Sequence, residues 1–134
     1  MPGRAEHESK DRVIWMKEAP VIGFLVSFDH NPNGDVFELR TGRLIVTSEG
    51  ASGGNYLILK DTTVSPMHAI LRVNGPRDIQ VLDQLSEHGT LIRRFGDAVE
   101  EELSGDKSTI AHGDIIKFGQ RKFVVCVIPT EPES

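Results

Sequence analysis

Ser65 and His68 stand three positions apart in the run Val64-Ser65-Pro66-Met67-His68, and a second polar run, Ser86-Glu87-His88-Gly89-Thr90, follows it. Hydroxyls and ring N–H groups in such runs are donors suited to an anion. A third run, Ser48-Glu49-Gly50-Ala51-Ser52-Gly53-Gly54, adds two hydroxyls and glycines whose backbone N–H groups can converge on an anion as a nest. Two bond-breaking patterns are missing: there is no GxxxxGK[ST] and no HExxH. The five histidines, His7, His30, His68, His88 and His112, are scattered with no i, i+4 pair, so no metal site is expected. Cys126 is the single cysteine. It excludes a disulfide framework and a multi-cysteine zinc site, and reads as a small buried hydrophobe. The expectation is a non-enzymatic chain without cofactor.

The elements that must position these residues read as strands. The chain has 134 residues, 38% hydrophobic and 26% charged, which is room for one soluble domain. Thirteen glycines and seven prolines predict many turns. Phe24, Val26 and Phe28 alternate with Ser27 and Asp29 as one half-buried strand. Asn31-Pro32-Asn33-Gly34 turns the chain into a return strand over residues 35–39. Leu44-Ile45-Val46 and Tyr56-Leu57-Ile58-Leu59 are inner strands. Ala69, Leu71 and Val73 alternate, Asn74-Gly75-Pro76 turns into residues 79–82, and residues 90–92 follow a glycine. Residues 115–118 and 122–128 close the domain as a hairpin around Gly119-Gln120. Residues 95–106, with Asp97, Glu100, Glu101, Glu102 and Asp106, read as a solvated acidic loop. This spacing of short strands predicts an all-β sandwich or barrel.

Residues 1–12 are charged, without the apolar run of a signal peptide. The cluster Val13-Ile14-Trp15-Met16 can dock on the domain or on a partner. The expected division is a flexible tail over 1–21, a domain over 22–128 and a C-terminal tail or linker over 129–134. Both ends suit a module of a longer protein. A net charge of −5, from 15 Lys plus Arg against 20 Asp plus Glu, argues against a nucleic-acid or anionic-membrane binder. No stretch approaches the ~20 apolar residues of a membrane span, and the expected location is cytoplasmic.

Four segments carry a family resemblance, in this order: residues 39–48; Asn55-Tyr56-Leu57-Ile58-Leu59-Lys60-Asp61-Thr62-Thr63-Val64-Ser65-Pro66-Met67-His68-Ala69; Leu82-Asp83-Gln84-Leu85-Ser86-Glu87-His88-Gly89-Thr90; and His112-Gly113-Asp114-Ile115-Ile116-Lys117-Phe118-Gly119. Together they resemble the forkhead-associated (FHA) domain, whose pattern is approximately GR, NDIxLxDxxVSRxHA, DxxSxNGT and LxxGDxIxxG. The resemblance covers residues 22–128. It implies a sandwich of two twisted, mostly antiparallel sheets with about eleven short strands, whose loops at one end bind phosphothreonine peptides. It further implies that Ser65 donates to phosphate, and that His68, Gly89, Thr90 and Asp114 are structural motif residues.

The sequence departs from the family pattern at the contact positions. Thr47-Ser48 stands where GR is expected, while Gly42-Arg43 falls earlier; Pro66 follows the serine; His88 replaces the asparagine. The candidate phosphopeptide-binding set is therefore Ser65, Ser48, Thr47, Pro66, Glu87 and His88, with Arg43, Arg93 and Arg94 as substitute cations. The expected partner is a phosphothreonine-bearing protein, or the chain's own tail or a neighbouring domain, with the module serving a bacterial-type signalling protein. The alternative is a degenerate member acting as a phospho-independent scaffold.

Overall fold

The computed structural model describes residues 11–50 and 52–130. Among them are twelve strands: β1 (Arg12–Ile14), β2 (Val21–Ser27), β3 (Asp35–Arg40), β4 (Gly42–Thr47), β5 (Asn55–Ile58), β6 (Ala69–Gly75), β7 (Asp78–Asp83), β8 (Thr90–Arg93), β9 (Glu100–Glu102), β10 (Lys107–Ile110), β11 (Ile115–Phe118) and β12 (Arg121–Val127). One sheet has the order β1-β5-β4-β6-β7-β10, the other β3-β2-β12-β11-β8-β9. All neighbours are antiparallel except β4 and β5, which run parallel with Thr47 opposite Ile58. This is the two-sheet, mostly antiparallel sandwich that the sequence predicts. Among the described residues no helix is long and apolar enough to cross a membrane.

Period-two alternation builds the core. Leu44 and Val46 of β4, Ala69, Leu71 and Val73 of β6, and Ile79 and Val81 of β7 face Ile116 and Phe118 of β11 and Phe123 and Val125 of β12. Phe123 meets both Phe37 and Phe118 with ring centroids 5.8 Å apart. Cys126 falls on the other parity. It is half-buried on the outer face of β12, not in the core.

The parity of β2 also differs from the sequence reading. Leu25 and Ser27 point inward, Phe24 and Val26 are half-buried and Phe28 is exposed. Two causes act together. A bulge between Val21 and Gly23 shifts the pairing with β3. The buried Arg121 guanidinium needs polar company on the inner face. Its Nη2 donates to Ser27 Oγ at 3.3 Å, its Nε to Asp29 Oδ2 at 3.3 Å and its Nη1 to Asp11, while its guanidinium carbon lies 5.4 Å from the Phe123 ring centroid.

That ion cluster anchors the N-terminal strand. Residues 1–10 lie outside the described residues, as do 131–134. From Asp11 onward the chain belongs to the sandwich, although the sequence began the domain at residue 22. β1 pairs with β5, the Trp15 ring packs against the core, and its Nε1 donates to the Glu38 carbonyl at 3.2 Å. The Trp15 cluster thus docks on its own domain. The acidic segment is likewise more than a solvated loop. Glu100–Glu102 pair with β8 as an edge strand, and Leu103 is buried. β3 and β4 lie in different sheets, and Gly42 at φ +139° carries the chain across.

Arg121→Ala removes the guanidinium from which both the Asp11 and the Asp29 carboxylates accept. We expect a loss of about 3–5 kcal/mol in urea unfolding. A loss below 1 kcal/mol would show that the cluster does not hold β1 in place.

Candidate functional site

At one end of the sandwich four connections meet: β4–β5, β5–β6, β7–β8 and β11–β12. His68 sits beneath them with its side chain fully buried. The Ser65 backbone N–H donates to its Nδ1 at 2.9 Å. Because a backbone amide only donates, Nδ1 is the bare nitrogen. Nε2 therefore carries the proton and donates to the Gly89 carbonyl at 2.9 Å. Burial pushes the His68 pKa below its ordinary value, outweighing the Gly89 carbonyl and the Asp83 charge that favour the proton. The ring is a neutral tie between two loops, set edge-on to Phe118 at 5.9 Å.

Asp83, at the end of β7, gathers the β7–β8 loop. Its Oδ1 accepts from Ser86 Oγ at 2.6 Å and Thr90 Oγ1 at 2.7 Å; its Oδ2 accepts from the Leu85 and Gly105 amides at 3.1 and 2.8 Å. Burial raises its pKa, but these donors outweigh burial and hold the carboxyl below its usual range. Asp61 does the same for the β5–β6 turn, accepting from the Thr63 amide and hydroxyl at 2.8 and 2.5 Å. Thr63 Oγ1 in turn accepts from the Gln120 amide at 2.8 Å. This close approach demands glycine at 119, which has φ +61° and whose Cβ would lie 2.3 Å from the Thr63 carbonyl oxygen.

Ser65 joins three of the loops. Its carbonyl accepts from the Ser48 amide at 3.3 Å, and its Oγ accepts from the Glu87 amide at 3.1 Å. With that lone pair engaged, the half-buried hydroxyl keeps its proton to donate outward. Two exposed apolar residues of these loops are in left-handed backbone, Met67 at φ 57° and Leu85 at φ 56°, 46% and 78% exposed. Strain of this kind is concentrated at binding loops.

The structure brings Thr47, Ser48, Ser65, Pro66, Glu87, His88, Gly89 and Thr90 to this end, around His68. Thr47 is buried, and its hydroxyl closes its own turn with the Glu49 carbonyl and amide at 2.8 and 2.9 Å. Pro66, Glu87 and His88 are exposed. Arg43 is not at the site. It lies four residues before Thr47 on β4, about 13 Å away at strand rise. Arg93 ends β8, about 10 Å from Thr90 at the same rise, opposite Glu100. Arg94 is committed to Glu101, Asp114, Ser108 and the Thr109 carbonyl. Asp114 lies at the opposite end, where it closes turns by accepting from the Phe95 and Ala111 amides. Strand length separates Arg43 and Arg93 from the loops.

Sequence reasoning missed two residues here. Asp83 had a signal, its fixed spacing before Ser86 and Thr90. Lys60 had none beyond lying one residue past an apolar run. Its Nζ donates to the Ser48 carbonyl at 3.2 Å. Acidic groups share the site: Glu49 and Glu87 are exposed, and a Glu102 carboxylate oxygen lies 3.2 Å from where a Cβ on Gly89 would be. Among the described residues no group of three or more His, Cys, Asp or Glu could hold a metal ion.

Asp83 binds a proton less readily in the folded chain than in the unfolded one. Its contribution to stability is present above the ordinary carboxylate range and is lost as pH falls through its lowered folded value. Asp83→Asn should lower stability at pH 7 by about 1–3 kcal/mol and flatten the decline below pH ~4. Melts of both chains between pH 2 and 7 test this; parallel acid slopes would assign the acid response to other carboxylates.

The FHA domain family profile matches residues 40–119. No curated protein sequence matches the chain. Among solved structures, the chain is similar to the FHA domain of the CT664 protein from Chlamydia trachomatis, with 21% identity over 80% of this chain and 99% of that one and a TM-score of 0.61. A domain described under phosphothreonine-dependent FHA interactions has 26% identity over 81% and 99%, with a TM-score of 0.57. Mycobacterium tuberculosis EmbR, in complex with a low-affinity phosphopeptide, has 17% identity over 84% of this chain and 26% of that one, with a TM-score of 0.63. The profile match spans β4 to β11 and includes every loop that His68, Ser65 and Asp83 tie together: the chain belongs to the FHA domain family.

Proposed function

We propose that the loop end is a phosphothreonine-recognition site, and that the domain serves as a regulatory protein-interaction module of a cytoplasmic, bacterial signalling protein. The observation that carries this reading is Ser65. Its hydroxyl is held by the Glu87 amide with its own proton pointing away from that bond, on a loop anchored by the neutral His68. Two of the similar structures are described with phosphothreonine-dependent interactions or a phosphopeptide. The fitting partner is a phosphorylated protein segment, in another protein or in a neighbouring domain. The hydroxyl and amides hydrogen-bond the phosphate oxygens, and the exposed Met67 and Leu85 flank the peptide.

A second reading, a phospho-independent scaffold, is favoured by the Glu102 and Glu87 carboxylates beside Gly89 and by the serine at position 48. Negative charge there opposes a dianion.

A degenerate phosphothreonine peptide pool and its unphosphorylated counterpart, titrated by fluorescence anisotropy, separate the two. We expect preference for the phosphorylated pool, and a loss of about tenfold or more in Ser65→Ala from one missing charge-assisted bond. Equal binding of both pools would sustain the scaffold reading.

A further inference from the structure

We infer that Lys60 supplies the cation of the phosphate site, its charge arriving from the segment just after β5 where the family pattern places an arginine at the end of β4. The inference rests on the phosphothreonine reading above and names the residue that makes that site electrostatically workable.

Sheet register puts Lys60 there. β4 and β5 are the parallel pair, so their C-terminal ends lie side by side. Thr47 is opposite Ile58, and the Leu59 amide continues the ladder to the Thr47 carbonyl at 2.9 Å. One step further Ser48 comes level with Leu59, and Lys60 is the next residue along. Ser48 occupies the position where the family arginine would begin.

The side chain confirms the adjacency. Lys60 Nζ donates to the Ser48 carbonyl at 3.2 Å, while the Ser48 amide donates to the Ser65 carbonyl at 3.3 Å. Ser48 thus lies between the ammonium and the residue whose hydroxyl faces the ligand. The Lys60 backbone is pinned as well, its amide donating to Asp11 Oδ1 at 2.9 Å.

The nearby anions leave the ammonium available. Asp11 is engaged by Arg121, His30 and the Lys60 amide, and Asp61 is engaged by Thr63. Among the described residues Lys60 forms no ion pair within 4.0 Å. The ammonium has three donors, of which the Ser48 carbonyl takes one. A phosphate oxygen can take another.

A lysine acts as a point charge, without the bidentate fork of arginine. Binding through it depends on ionic strength more than on phosphate orientation.

The test uses the whole chain and the two peptide pools. Lys60 is exposed, so Lys60→Met should melt like the parent. We expect it to bind the phosphorylated pool about tenfold to a hundredfold more weakly. Lys60→Arg should hold affinity within about threefold, and Ser48→Arg placed in the Lys60→Met chain should restore binding from the family position. A parent that prefers the phosphorylated pool together with an unchanged Lys60→Met overturns the role of Lys60 and leaves the phosphothreonine reading intact. His88→Asn serves as the comparison: if it alone loses the binding, the charge is the imidazolium and the Lys60 inference fails. A parent that binds both pools alike overturns the phosphothreonine reading, and Lys60's role with it.

Discussion

The neutral imidazole of His68 is the constraint around which the loop end is arranged. A ring with one bare and one protonated nitrogen, closed off from water, requires one donor and one acceptor at fixed directions. Ser65 supplies the donor and Gly89 the acceptor. Meeting that demand commits much else. The Gly89 carbonyl must turn inward, which places this residue in left-handed backbone at φ +85°. The next residue, Thr90, is then delivered to Asp83. The Ser65 amide is consumed inside, so its hydroxyl is the group left at the surface. A protonated ring would present two donors, one of them aimed at the Ser65 N–H.

Much of the fold is legible because burial follows a period of two. Residues 44–46, 56–59 and 69–73 announce inner strands by side-chain type alone. β2 misleads because one bulge at Gly23 and one buried cation, Arg121, reverse its parity, and neither leaves a mark in local periodicity. β9 is hidden because its three glutamates carry no apolar signal. They form a strand because β8 offers an open edge and Leu103 is buried directly after them.

The site is legible in its loops and not in its charges. Ser65, His88 and Ser48 are found through motif order. The cation is harder to find. Arginines at 43 and 93 look available until strand rise is counted. Lys60 looks incidental until the β4–β5 pair is known to be parallel, because antiparallel pairing would send those strand ends to opposite sides of the sheet. A one-dimensional pattern holds no statement about strand direction, and that direction decides which charge meets Ser48.

The contact between Asp11 and Arg121 joins residues 110 positions apart, and β12 is the last strand among the described residues. A chain emerging from the ribosome exposes β1 well before its ionic partner on β12. The Asp11 end of the first sheet thus waits for its guanidinium through most of synthesis. Long-range closure of this kind slows folding and prolongs the exposure of apolar surface. The domain is therefore expected to fold after release of its C-terminal strand, not progressively from its N-terminus, and any fragment ending before Arg121 is a candidate for chaperone retention.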